Sequence, residues 1–272
     1  MRPVRLLLAL CALLLALPIS AQIVSAQIVS AQTGRDWITD LPRETVPVKT
    51  WPGGKKVAVA FVLYVEVWGK GHGPNFRPDM TGRSPDLVDE AFRQYAIEWG
   101  VNRVGRLFRE QNLPLTLALS SQFPEKRPDM WKALRAVVPK ASIVAHGMNN
   151  STDQLPLGKG PEPQRAYIRA VLDSIEKSTG RRPIGWSSPS VYPDADTFAA
   201  TAAEGIRYTL DGMDSDVLSR LGTAPQPLLM IPYPPQIVDM GQYLARFKEA
   251  RDLERIWIDY IGELAREAAA DP

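Results

Sequence analysis

Two short stretches of the 272-residue sequence hold residues that could carry out hydrolysis. The first is FVLYVEVW, where Glu66 stands among apolar neighbours; a carboxylate in such a run is costly to bury unless it is paired or hydrogen-bonded. The second is SIVAHGMNNS, which contains His146, one of only two histidines in the chain, followed by Asn149 and Asn150. A carboxylate can take a proton from water, and an imidazole can hold or deliver one near neutral pH. The amides add neutral hydrogen-bond donors of the kind that stabilise a developing oxyanion. By itself, His146 is either a member of such a site or an ordinary polar strand end.

These residues matter only if strands bring them together. From Lys55 onward the chain alternates short apolar runs with helical spacing. Strands are predicted within 57–68, 113–121, 141–147, 183–189, 206–212 and 228–233. Helices are predicted over 86–111, 128–138, 161–179, 194–204 and 242–270, two of the shorter ones opening at a proline suited to a first turn. Repeated β-then-α units predict a parallel sheet covered by helices. In that arrangement Glu66, His146, Trp186, Asp211, Asp214 and Tyr233 all fall at or beyond C-terminal strand ends, where barrel folds place their chemistry.

The N-terminus differs in kind. Arg2 and Arg5 precede the apolar run 6–17, and the repeat SAQIVSAQIVSAQ follows it. This reads as a secretory signal over residues 1–31, cleaved after Ala21, Ala26 or Ala31, and it predicts a secreted or periplasmic protein without a stable membrane span. The chain's one cysteine, Cys11, would leave with the signal. Residues 32–54, rich in proline and polar side chains, read as an N-terminal arm, and 55–272 as one catalytic domain. The chain has 32 Lys and Arg against 30 Asp and Glu. Loss of Arg2 and Arg5 would leave the two signs balanced, which argues against nucleic acid as a partner.

The order and spacing of several stretches resemble the NodB-type polysaccharide deacetylases, in the branch that includes allantoinase-like and imidase-like members. The stretches are VAVAFVLYVE, WGVNRVGRLF, SIVAHGMNN, residues 180–189, GIRYTLDGMDSD and LLMIPYPPQIVDM, so the likeness runs from about Val57 to about Leu264. The resemblance implies an irregular or incomplete (β/α) barrel and an exported hydrolase of a non-peptide C–N bond, with a carbohydrate or small amide as substrate. Polysaccharide or oligosaccharide N-deacetylation is the leading expectation. It also implies an aspartate pair after the first strand, a His-x-x-x-His motif and a divalent, zinc-like ion that polarises the amide carbonyl.

Position by position, this sequence keeps part of that set. Glu66 falls at the acidic pair without a second acid, and Asn150 stands where the second histidine would be. Arg182 matches the arginine that orients the base, and Asp214 and Asp216 match the later acidic motif. The family's last strand and its histidine have no counterpart. The expected catalytic set is therefore Glu66, His146, Arg182 and Asp214, with Asn149, Asn150, Trp186 and Tyr233 as substrate contacts. His146, Glu66 and His72, in the GKGHGP loop, are the candidates for holding a metal, too few for a firm assignment of any cofactor. The reading from another class is a non-catalytic protein that holds a glycan or small ligand in the same cleft, using Trp68, Trp186 and Tyr233 as stacking surfaces. In the final helix, Ile256, Trp257 and Ile261 serve either contacts with another chain, of unknown stoichiometry, or packing on the protein's own barrel.

Overall fold

The computed structural model describes residues 41–69, 72–73, 87–151, 159–223 and 225–270. The proposed signal segment and the first part of the arm lie outside the described residues.

Among the described residues eight strands form one sheet: β1 (Arg43–Thr45), β2 (Val62–Val65), β3 (Thr116–Leu119), β4 (Ser142–Ala145), β5 (Gly185–Trp186), β6 (Tyr208–Gly212), β7 (Ser219–Leu221) and β8 (Leu228–Pro232). Their spatial order is β1-β7-β8-β6-β5-β4-β3-β2. Neighbours from β2 to β6, and β6 with β8, pair in parallel, whereas β7 pairs antiparallel with both β8 and β1. The sheet is not closed, since β1 and β2 end the order.

All six strands expected from the sequence are present, most of them shorter than their apolar runs. The run 57–68 yields a ladder only over Val62–Val65. Its neighbour explains why: the first bond into β2 runs from Thr116 N–H to Phe61 O at 3.0 Å, and Pro114, two residues earlier, has no N–H to extend the ladder. Strands β1 and β7 were not expected. The β1 segment RET has no apolar pattern and is held by main-chain pairing to β7, so part of the presumed arm belongs to the sheet.

The helices are α1 (Leu87–Tyr95), α2 (Val101–Glu110), α3 (Phe123–Lys126), α4 (Pro128–Val137), α5 (Pro161–Thr179), α6 (Ala195–Ala203) and α7 (Ala250–Ala270). A π-type turn, Ala96–Gly100, joins α1 to α2 without breaking the helical path. Helix α5 coincides with its expected span because both ends are signalled: Pro161 begins it, and Gly180 ends it in the left-handed conformation at φ 76°. Asp194 and Thr197 cap α6 reciprocally, each side chain bonding the other's backbone N–H. The final helix is shorter than expected. Residues 241–245 form a separate π-type turn, and Phe247, at φ 53°, separates it from α7.

Leu117, Leu119, Val144, Ile168, Leu172, Phe198 and Ile206 fill the core between strands and helices. Each such burial is worth about 1.5–3 kcal/mol before conformational entropy is charged. Helix α7 packs on its own domain: Trp257 Nε1–H bonds Ile237 O at 2.8 Å, and its ring lies 6.4 Å from that of Phe61 beside β2. No helix among the described residues is long and apolar enough to cross a membrane.

Candidate active site

Glu66 and His146 lie just beyond β2 and β4, which flank β3 in parallel, so both side chains emerge at the same end of the sheet. The imidazole Nε2 lies 2.9 Å from Glu66 Oε1. Asn150 Nδ2 donates to the same oxygen at 2.9 Å. The histidine side chain is 1% exposed and the glutamate 13%, so the pair sits at the floor of the site with the carboxylate toward its opening. Among the described residues both bonds land on Oε1, which leaves Oε2 available to a water or substrate proton.

The other imidazole nitrogen fixes the proton count. Nδ1 lies 2.9 Å from Ser187 O, and a carbonyl can only accept, so Nδ1 carries a proton. A neutral ring would then present a bare Nε2 to Glu66 Oε1. The 2.9 Å contact requires a proton between those atoms, so the pair holds one proton more than a neutral imidazole beside a free carboxylate. Asn150 is oriented in the same way: its Oδ1 accepts Ser190 N–H at 2.6 Å, which turns Nδ2 toward Glu66.

Local backbone geometry makes these contacts possible. Gly147 adopts φ 63°, and a β-carbon there would come within 2.3 Å of Pro189 Cγ. The glycine lets the loop after β4 close on the 187–190 turn. In that turn Ser190 and Val191 also take positive φ, at 56° and 49°. Such a conformation is costly for a β-branched residue and is held where the surrounding contacts over-determine it.

Asp211, in β6, supports the turn from below. Its Oδ1 accepts Ser188 N–H and its Oδ2 the Ser188 hydroxyl, both at 2.8 Å. Burial pushes its carboxyl above the usual carboxylate range, while the Ser188 bonds and the nearby His146 draw it back. Tyr64, from β2, stacks edge-on against His146 at 4.8 Å and lies 6.1 Å from Tyr233. Burial raises both phenols, so both stay protonated as neutral donors. The charge of Glu66 contributes to the shift at Tyr233, placing that phenol within electrostatic reach of the carboxylate.

The structure thus brings together Glu66, His146, Asn150 and Tyr233, and it gives Arg182, Asp214, Trp186 and Asn149 other partners. Arg182 precedes β5 and so lies at the opposite end of the parallel strands. There it bonds Asp173 and Glu176, at 2.5 and 3.1 Å, and it does not orient Glu66. Asp214 follows β6 at the correct end, but its carboxylate pairs with Arg43 of β1. Trp186 is no stacking surface: it is 1% exposed, with Nε1–H bonded to Ser188 Oγ at 3.0 Å. Asn149 is buried and serves its own loop, donating to Gln122 and accepting Ser151 N–H. His72 is exposed, its backbone N–H turned onto Gly69 O. Asp211 was visible in the sequence only as one strand-end residue among several. Tyr64 gave no signal apart from its place two residues before Glu66.

The donor set does not fit a divalent cation. Both nitrogens of His146 are engaged, one carboxylate is present, and the Asn150 carbonyl already accepts from Ser190 N–H and lies 3.3 Å from its hydroxyl. Among the described residues no three His, Cys, Asp or Glu side chains converge as ligands.

No protein-family model matches the sequence, and no curated protein is significantly similar to it. Solved structures are similar. The Puue allantoinase is 25% identical, with a TM-score of 0.68 over 83% of this chain and 78% of that one. A Pseudomonas aeruginosa structure described as a polysaccharide deacetylase is 22% identical, with a TM-score of 0.68 over 82% and 78%. One from Mycobacterium smegmatis, also described as a polysaccharide deacetylase, is 20% identical, with a TM-score of 0.66 over 83% and 79%. The fold of this chain is that of the polysaccharide deacetylases and the allantoinase, a NodB-type (β/α) barrel whose sheet is open here between β1 and β2.

Proposed function

We propose that the chain hydrolyses a non-peptide C–N bond of an amide without a metal ion, using Glu66 as the base and His146 as the group that holds the pair's proton. The observation that carries this reading is the carbonyl of Ser187, which fixes the protonated nitrogen of His146 and so the proton between Nε2 and Glu66.

Glu66 Oε2 takes a proton from water as the water oxygen bonds to the amide carbon, and the carbonyl π pair moves onto oxygen. Collapse re-forms the carbonyl and breaks the C–N bond. The nitrogen leaves with a proton returned by Glu66, which restores the pair. Both nitrogens of His146 are occupied, so the imidazole acts through Glu66 and does not donate directly to the carbonyl. The neutral Tyr233 phenol and the second N–H of Asn150 are the donors available to the oxyanion.

The allantoinase likeness and the burial of Trp186 both favour a compact amide or cyclic ureide over a long glycan laid on an aromatic platform. The N-terminal pattern supports export, with removal of residues up to Ala26 or Ala31. The decisive experiment follows product release from allantoin-type ureides, cyclic imides and N-acetylated oligosaccharides in parallel. Turnover of a compact amide that persists in EDTA is the expected result. Binding without turnover of any amide would support the non-catalytic reading instead.

A further inference from the structure

The candidate site leans on the outgoing end of β6. That strand carries Asp211, which bonds Ser188, and Gly212, whose carbonyl accepts Tyr233 N–H at 2.7 Å. Its ladder with β8 shifts register between Thr209 and Gly212, so both residues sit in or beside a bulge. Bulges next to functional sites re-aim side chains and end regular pairing. A β-carbon on Gly212 would come within 2.6 Å of Met230 Cγ, so the two strands stay in close contact up to that residue. Beyond it the chain crosses to β7 through 213–218, where no residue is buried, and apolar packing does little to fix its path.

Two contacts from β1 hold that segment. Val46 N–H, just past the strand, bonds Leu218 O at 2.8 Å. The Arg43 guanidinium donates from Nε to Ser219 Oγ at 3.0 Å and pairs through Nη1 with Asp214, two residues beyond Gly212. Ser219 is 2% exposed, so the guanidinium is anchored on a buried hydroxyl and reaches Asp214 from a fixed direction. That anchoring distinguishes it from a freely solvated surface pair, which contributes little. We propose that Arg43 is a positioning residue for the candidate site: by holding Asp214 it fixes the outgoing end of the β6 bulge, and with it the Asp211 carboxylate and the Tyr233 phenol. The arm that supplies Arg43 thereby completes the site. The catalytic consequence rests on Tyr233 as an oxyanion donor, as proposed above, whereas the mechanical link from Arg43 to Gly212 does not.

Charge reversal tests it. Arg43→Asp sets a carboxylate beside Asp214 and is expected to lower kcat roughly tenfold with little change in KM, because a displaced oxyanion donor is missed in the transition state. Asp214→Arg is expected to do the same. The double variant restores opposite charges and should recover most of the lost kcat. Amide hydrogen exchange gives a readout independent of turnover. Tyr233 N–H should exchange roughly tenfold faster in each single variant and return toward the wild-type rate in the double, while His146 N–H, bonded to Leu119 O at 2.9 Å, stays unchanged. A lower thermal midpoint with kcat and Tyr233 exchange unchanged would make β1 a staple of the sheet only and overturn the proposal. So would loss in the single variants without recovery in the double, since the effect would then not run through the pair. If the wild type turns over no amide, the chemistry proposed for Glu66 fails by itself, and exchange at Tyr233 still decides whether Arg43 holds the strand end.

Discussion

The two ends of the parallel sheet are polar in opposite ways. At the N-terminal end, Glu204 receives Arg165 at 2.6 Å and Arg169 at 2.7 Å, with Arg182 at 4.0 Å and turned mainly to Asp173 and Glu176. Glu204 and Arg182 each have opposite charges beside them. At the C-terminal end, Glu66 and Asp211 have no arginine or lysine against them among the described residues, and they are held by an imidazole, an amide, backbone N–H groups and a hydroxyl. Fully compensated carboxylates fasten loops and helices to the sheet but have little left to offer a substrate. Carboxylates without a fixed arginine or lysine beside them keep a proton affinity that their surroundings can adjust, which a base requires. The difference identifies the chemical end of the fold without reference to any motif.

The largest effect is expected from removing the base. Glu66→Gln keeps the shape and one acceptor for Asn150 but cannot take a proton, so turnover should fall by about 10³-fold or more while the thermal midpoint changes little. Kinetics and thermal unfolding measured together check this. Retained turnover would mean that the uncompensated carboxylate is a structural group like those at the far end. Incubation with EDTA should leave turnover unchanged, because both His146 nitrogens, Glu66 Oε1 and the Asn150 carbonyl are already hydrogen-bonded, and Glu66 Oε2 by itself cannot hold a divalent ion. Loss in EDTA with recovery in zinc would contradict that account.

The convergence of Glu66 and His146 was legible in the sequence because parallel strands present their C-terminal ends on one side, and both residues end apolar runs. Helix α5 was legible from Pro161 and Gly180. Arg182 was misplaced because matching a motif assigned it a role, although its position immediately before Pro183 and the β5 strand put it at the wrong end. Trp186 was misread because a two-residue strand leaves little pattern to show which face an aromatic occupies. Strand β1 was hidden by its composition, since RET pairs through its backbone alone. The proton between Glu66 and His146 depends on a carbonyl 41 residues from the histidine, a contact no local spacing encodes.

A smaller effect is expected at Asp211, which touches the pair only through the 187–188 turn. Asp211→Asn should cost about 1–3 kcal/mol, because one of its two Ser188 bonds loses its acceptor. Turnover should fall roughly tenfold as the Ser187 carbonyl loosens its hold on His146. The pH dependence gives a second readout. The folded-state carboxyl is raised above its unfolded value, so its contribution to stability is fully present below the ordinary carboxylate range and is lost as pH rises through the elevated folded value. Glu204, lowered chiefly by its bond to Arg169, has the opposite sign: its contribution is present above the ordinary range and is lost as pH falls through the depressed folded value. Unfolding free energy measured against pH should therefore lose its alkaline-side decline in Asp211→Asn and its acid-side decline in Glu204→Gln. If Asp211→Asn leaves the pH curve unchanged, the carboxyl is not under the burial strain inferred for it.

The smallest effect is expected at Arg182, the residue whose expected role the fold denies. Its guanidinium is about one-third exposed, and its partners Asp173 and Glu176 are more exposed still. Solvent screens such pairs, and their measured contributions are usually below about 1 kcal/mol. Glu204 also keeps Arg165 and Arg169 when Arg182 is removed, so its charge is not left alone. Arg182→Gln should lower stability by less than about 1 kcal/mol and leave kcat and the pH profile of turnover unchanged, because its partners lie at the opposite end of the strands from Glu66. A shift in the pH profile would be the informative failure. It would mean that the arginine tunes the base across the full length of the strands, and that the charge-compensated end of the sheet takes part in the chemistry at the other.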